Sequence, residues 1–408
     1  HLAGMAHWQV YLKEKAKPEE SRDQDRMAAH RAKAVDEFKA SLQAQRKALG
    51  SETALPRELI DTQLRLADTE IDAGNLDEAS RLLEPLVDFI AVQPPEPRDP
   101  MMTYVLLDAL ITAVKRRSAA DAAPAATALI ERGDDSAKVN GALIDYASLL
   151  HDDWKSPSAA GTTPAANGSA AAAFDAKAQL LRVLKHLAGR PDQKPAALCY
   201  IGETLAEIGM SDQARDLYQA VLGKIGQEAN VSPADAKLRM RVRTKLVALL
   251  RAEGKHDEAL GQVESLIEDA KQPGKRTFPL EPMLEKGYIL QDLKKFDEAL
   301  RQWTTIRTAM KGMKKQPDEF YDVVYRAAVC LVALAEQEDG KKKEGREKKK
   351  EKYLQAEKLL VSMLTVSPNL NGQAMVAKYK ELQAQIDKAQ PKAKTKDKPK
   401  PKKDKAAA

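Results

Sequence analysis

Gly254-Lys255-His256-Asp257-Glu258-Ala259 decides the fold, because the same phrase recurs as Gly74-Asn75-Leu76-Asp77-Glu78-Ala79, Gly209-Met210-Ser211-Asp212-Gln213-Ala214 and Lys294-Lys295-Phe296-Asp297-Glu298-Ala299. Each copy reads as the turn of a helical hairpin. The glycine five residues before the alanine ends a first helix in the left-handed conformation, and Lys294 takes that place in the fourth copy. The aspartate two residues before the alanine falls in the first turn of a second helix, where a carboxylate meets the positive end of the helix dipole. The alanine itself is small because the two helices approach most closely there.

Working outward, four residues after each alanine stands a large apolar side chain, Leu83, Tyr218, Val263 or Trp303, and three further on Leu86, Val221, Leu266 or Ile306. These form the inner stripe of the second helix. Upstream, the first helix supplies Leu66-Ala67, Ile201-Gly202, Leu246-Val247 and Lys286-Gly287, with Leu205, Leu250 and Leu290 a turn later. A large residue, then a small one, then the Gly-x-x-(Asp/Glu)-x-Ala turn resembles the tetratricopeptide repeat, or TPR.

The resemblance implies an all-α chain, a right-handed α-solenoid of about eight TPR-like helical hairpins with a C-terminal capping helix. Alanine intervals of 45 (214 to 259) and 40 (259 to 299) exceed the family's unit of about 34 residues, so helices or inter-repeat loops must be longer here. Weaker hairpins are expected at 1–14 with 24–48, 101–116 with 119–132, 137–151 with 171–188, and 317–339 with 348–366 around Ala356. Pro94-Pro95-Glu96-Pro97-Arg98-Asp99-Pro100 reads as a stiff extended link. The expected organisation is N-terminal hairpins over 1–154, a flexible Ser/Ala/Gly/Pro loop over 155–170, and C-terminal hairpins over 171–366. A capping helix over 367–390 and a disordered Lys/Pro-rich tail over 391–408 follow.

Charge is placed unevenly. The tail carries eight lysines and two aspartates, which accounts for the whole net charge of +6, so residues 1–390 are neutral overall. Residues 340–352 hold eight basic and three acidic groups at helical spacing and read as a solvated, self-paired helix extension. No apolar run is long enough to span a bilayer. The reading is of a soluble chain of unassigned compartment, and its start at His1 leaves export open.

Catalytic chemistry leaves little trace. The six histidines are scattered, and His151-Asp152-Asp153 lacks the further ligands a metal needs, so the triplet reads as a solvated helix end. There is no Gly-rich phosphate loop, nucleophile elbow or metalloprotease helix motif. No enzyme activity, cofactor or metal is expected. Cys199 and Cys330 sit in apolar helical stretches as small buried thiols.

A TPR chaperone-tail clamp needs Lys and Asn projecting from first helices. Those positions here hold Leu64 and Asp68, Cys199 and Glu203, Thr244 and Ala248, Leu284 and Tyr288, which disfavours that partner. The principal expectation is a non-enzymatic scaffold binding a peptide or partner protein along the concave face, with Glu203, Thr244 and Tyr288 as candidate groove-facing residues. The alternative is a solenoid tethered by its tail to a polyanion: nucleic acid, an anionic membrane surface or an envelope polymer. That reading would use Lys392, Lys394, Lys396, Lys398, Lys400, Lys402, Lys403 and Lys405. Lysines without interleaved aromatics attract phosphates but do not read bases, so such binding would be non-specific and salt-dependent.

Overall fold

The computed structural model describes residues 1–50, 55–94, 99–133, 136–156, 174–226, 232–270, 278–311, 317, 319–339 and 341–390. The described chain is all-helical: α1 (Leu2–Lys15), α2 (Gln24–Leu49), α3 (Arg57–Ala73), α4 (Leu76–Ala91), α5 (Pro100–Lys115), α6 (Ala119–Glu131), α7 (Ala137–Lys155), α8 (Ala176–Ala188), α9 (Pro195–Ile208), α10 (Ser211–Ile225), α11 (Pro233–Ala252), α12 (His256–Ala270), α13 (Leu280–Asp292), α14 (Phe296–Lys311), α15 (Phe320–Gln337), α16 (Lys343–Val366) and α17 (Gln373–Ala389). Consecutive pairs give eight TPR-like hairpins, and α17 follows the last of them. Two compact units are distinguished, divided between Leu217 and Tyr218 inside α10.

The repeated phrase has one geometry in every copy. At 74, 209, 254 and 294 the residue sits at φ +82°, +95°, +79° and +59°. The amide of the following residue then donates back across the turn: Asn75 to Glu70, Met210 to Leu205, Lys255 to Leu250 and Lys295 to Leu290, at 2.8–3.0 Å. This is the Schellman closure, which satisfies carbonyls the helix end would leave bare. Ala79, Ala214, Ala259 and Ala299 are all fully buried, as the close approach of the helices requires.

The hairpin expected at 101–116 with 119–132 is formed by α5 and α6, and its turn shares the same geometry although its sequence lacks the phrase. Arg117 adopts φ +55°, Ser118 donates to Ala113 at 3.0 Å, and Ala122, five residues after Arg117, is fully buried. Arginine and lysine at left-handed positions carry a steric cost that glycine does not. Lys294→Gly is therefore expected to raise the urea midpoint, through a stabilisation of about 0.5–1 kcal/mol after allowing for the extra freedom of glycine in the unfolded chain. Gly254→Ala should lower it by a similar amount, and equal midpoints for Lys294→Gly and the parent would contradict the strain.

In the first unit α3 touches α5 and α5 touches α7, while α4 touches α6 and α6 touches α8. First helices thus lie beside first helices and second beside second, in two layers. The core between them is built from the stripes read in the sequence, including Leu66, Ala67, Leu83 and Leu86. In the second unit α11 touches α13 and α15 touches α17. Trp303, Ile306, Phe320 and Cys330 share one cluster there, and Tyr353, Leu360, Tyr379 and Ile386 belong to the next.

Several expectations meet the structure at their edges. α7 continues through Lys155, so the expected loop starts later; residues 157–173 lie outside the described residues, as do 95–98 of the proline-rich link and the tail 391–408. The lysine-rich run enters the first turns of α16, where Glu344 pairs with Lys348 at 2.7 Å one turn apart. α17 buries Tyr379, Leu382 and Ile386 while its remaining face stays largely exposed, the pattern a closing helix needs.

Candidate functional site

The first-helix layer of each unit is crossed by charged side chains that join one hairpin to the next. In the first unit His1 Nε2 lies 3.1 Å from Asp61, and Lys15 reaches Asp72 at 2.6 Å. α3, α5, α7 and α9 together carry eleven carboxylates against five basic side chains, so this stretch is acidic. Asp68 on α3 and Asp108 on α5 share a hydrogen bond between their carboxyl groups. Burial first, then the neighbouring Asp68, pushes the Asp108 carboxyl up to about 8. Burial raises Asp68 as well, against the opposing pull of its bond to Asp108 and of Arg65 at 3.5 Å. Two carboxyls this close cannot both ionise cheaply, so the pair holds one proton at neutral pH.

His151-Asp152-Asp153 does not act as a unit. His151 Nε2 lies 2.9 Å from Glu207 on α9, and Asp152 pairs with Arg117 at 3.1 Å. Burial raises the Asp153 carboxyl. Burial would also raise Glu207, but hydrogen bonds from Lys155 and His151 outweigh it and hold that carboxyl low. Among the described residues no three His, Cys, Asp or Glu side chains are grouped to hold a metal ion.

In the second unit the layer is organised around Tyr288 on α13. Its hydroxyl donates to Asp322 on α15 at 2.7 Å. Guanidinium groups approach the ring from two helices, Arg251 of α11 at 5.4 Å and Arg326 of α15 at 5.1 Å, and Trp303 meets it edge-on at 5.1 Å. Arg251 also bonds Glu285 at 2.5 Å and Asp292 at 3.3 Å, and Arg326 lies 3.5 Å from Asp322. Burial, then the Asp322 carboxylate, holds the Tyr288 hydroxyl well above its usual range. Burial alone would lower Arg251, but Glu285 and Asp292 raise it, so it stays charged. Such a cluster combines stacked cations with charge-assisted bonds, and guanidinium planes on an aromatic face are among the stronger surface contacts.

The three candidate residues differ in what they present. Glu203 is half-buried on α9, with the Cys199 thiol 3.7 Å from its carboxylate. Thr244 is buried on α11 and donates its hydroxyl to the Met240 carbonyl one turn back at 2.9 Å. Tyr288 is half-buried at the centre of the cluster just described. The eight tail lysines lie outside the described residues. Register alone did not single out Arg251, Glu285, Asp322 and Arg326. The available signal was Asp322 and Arg326, one turn apart in the otherwise apolar run Phe320-Tyr321-Asp322-Val323-Val324-Tyr325-Arg326-Ala327. Cys199 and Cys330 are buried thiols not joined in a disulfide, and burial pushes Cys330 up to about 12, which leaves it unreactive at neutral pH.

No protein-family model matches the chain, and no curated protein matches its sequence. Among solved structures it is similar to a tetratricopeptide repeat protein from Parabacteroides merdae, at 13% identity and a TM-score of 0.41 over 79% of this chain and 98% of that one. It is also similar to NprR in complex with its cognate peptide NprX, at 13% identity and a TM-score of 0.42 over 84% and 87%. YrrB, a TPR protein with an unusual peptide-binding site, matches at 17% identity and a TM-score of 0.31 over 62% and 96%. Among the described residues no helix is long and apolar enough to cross a membrane.

Proposed function

We propose that the chain is a non-enzymatic scaffold that holds a peptide or partner protein along its first-helix layer. One observation carries this reading: Tyr288, Arg251, Arg326, Glu285 and Asp322 form an aromatic and guanidinium cluster, half-buried at Tyr288, that spans three successive first helices. Aromatic and arginine side chains dominate the energetics of protein recognition. A curved array of stacked hairpins turns one layer inward as an extended binding face, and the cluster would lie on it. Partners with both charged and apolar side chains suit such a surface, because every charge in the cluster is already held in place by an opposite one.

The test compares capture by the intact protein with capture by a Tyr288→Phe, Arg326→Gln double variant, which keeps the packed ring and most of the arginine stem. Proteins co-purified with each are quantified by mass spectrometry. A partner bound at this face should be recovered about tenfold less well by the variant, a loss of about 1.4 kcal/mol. Undiminished recovery with unchanged thermal unfolding would place binding elsewhere.

A further inference from the structure

Away from the first-helix cluster, the second unit opens a groove of about 980 Å³ lined by α10, α11 and α12. Its apolar base is incompletely covered. Leu246 occupies the first-helix position that Leu66 and Ile201 fill in other hairpins, where exposure is 1% and 0%. Here Leu246 is only half-buried, as is Leu222 on α10, although Val247 and Leu266 beneath are sealed. This is the hairpin preceded by the alanine interval of 45 residues, and α11 at 20 residues is long for a first helix of the array.

The walls are lined with residues that internal packing does not call for. Gly261 lies inside α12 and Gly223 in the last turn of α10, and a Cβ at either would meet nothing within 4 Å. Glycine in a helix costs about 1 kcal/mol relative to alanine, and no contact inside the described protein offsets it. What bare backbone at both walls permits is close approach from outside.

Charge completes the description. Of the charged side chains on α11, Arg239 and Arg243 line the groove. Arg243 is paired with Asp269 at 3.0 Å. Arg239 is half-buried in the groove and donates to the Gly226 carbonyl at 2.5 Å. No carboxylate among the described residues lies within ion-pair distance of it. A half-buried guanidinium that meets a carbonyl, and no carboxylate among the described residues, retains most of its attraction for an anion.

We propose that this groove is a docking site for an acidic amphipathic helix of a partner protein, whose apolar side chains cover Leu222 and Leu246 and whose carboxylate pairs with Arg239. It is a second surface, separate from the Tyr288 cluster in both residues and ligand chemistry. Helix-in-groove recognition of this kind uses apolar anchors one turn apart with charges at the rim.

The probe is a labelled synthetic helix with leucines on one face and glutamates on the other, titrated by fluorescence anisotropy into the full chain. Its counterpart with lysine in place of glutamate serves as the charge control. The glutamate probe should bind and the lysine probe should not. Gly261→Leu, which fills the groove, and Arg239→Gln, which removes the cation, should each weaken binding about tenfold. Gly261→Leu should leave the thermal midpoint unchanged or raised, because an exposed helical glycine has been replaced by a better helix former. Failure of the glutamate probe to bind, or binding that neither substitution alters, would overturn the proposal. So would concentration-dependent self-association abolished by Gly261→Leu, since the occupant would then be a second copy of the chain.

Discussion

Gly287→Ala is expected to destabilise the second unit by about 1–3 kcal/mol when Trp303 is present, and to lose that penalty when Trp303 is first replaced by leucine. A Cβ built on Gly287 would lie 2.5 Å and 2.6 Å from the Trp303 ring atoms Cζ2 and Cη2. Trp303 is fully buried, so its ring cannot swing into solvent to make room. α13 and α14 must then move apart, or the indole must leave its rotamer. In the Trp303→Leu background the same alanine meets space and gains the ordinary helix advantage over glycine, about 1 kcal/mol.

The single substitution Trp303→Ala should be the most damaging core change, at about 3–5 kcal/mol. Because each hairpin packs chiefly on its neighbours, the damage should surface as an early separate unfolding transition. Urea unfolding of the four proteins in the cycle measures the coupling. Additive effects of the two substitutions would mean that the indole does not occupy the space above Gly287.

The second large effect concerns pH. Asp108, pushed up to about 8, lies well above the value near 3.9 it would have in the unfolded chain. Between those limits the folded protein binds more protons than the unfolded one, so the pair's contribution to stability is intact in acid and is lost as pH rises towards 8. Asp108→Asn keeps a donor for Asp68 without a proton to lose. The variant should match the parent near pH 4 and exceed it at pH 8 by roughly 1–3 kcal/mol, a range reduced for partial solvent access. The quantity to measure is the difference in unfolding free energy between parent and variant at several pH values, which cancels the other carboxylates. A pH-independent difference would show that the two carboxyls do not share a proton.

Much of the architecture was legible from four short phrases. A positive-φ residue and a buried alanine five positions later are rigid requirements, and they fixed where Gly74, Gly209 and Gly254 turn and which faces of α4, α12 and α14 go inward. The turn between α5 and α6 was located by its two helices, 101–116 and 119–132, but not recognised as a copy of the phrase, because Arg117 stands where the phrase has glycine and Ala120 where it has aspartate. Tyr288 was reachable by counting back from Ala299. Its partners were not, because Arg251 and Arg326 belong to the hairpins before and after, and one repeat does not encode the offset of its neighbours. The groove at α11 was invisible for a related reason. Gly223 and Gly261 look like ordinary weak spots in a helix until both are seen to border the same space.

The back-donating amides at the hairpin turns have a consequence for how the chain comes to be folded. They close loops of only a few residues, and the helix contacts of the finished structure run mainly to the next helix or the one after. Low contact order of this kind favours rapid folding, since little chain entropy is lost before contacts form. During synthesis each hairpin has its principal packing partners as soon as the following one leaves the ribosome. Assembly can thus follow the order of translation, and no hairpin waits for the C-terminus before finding most of its neighbours.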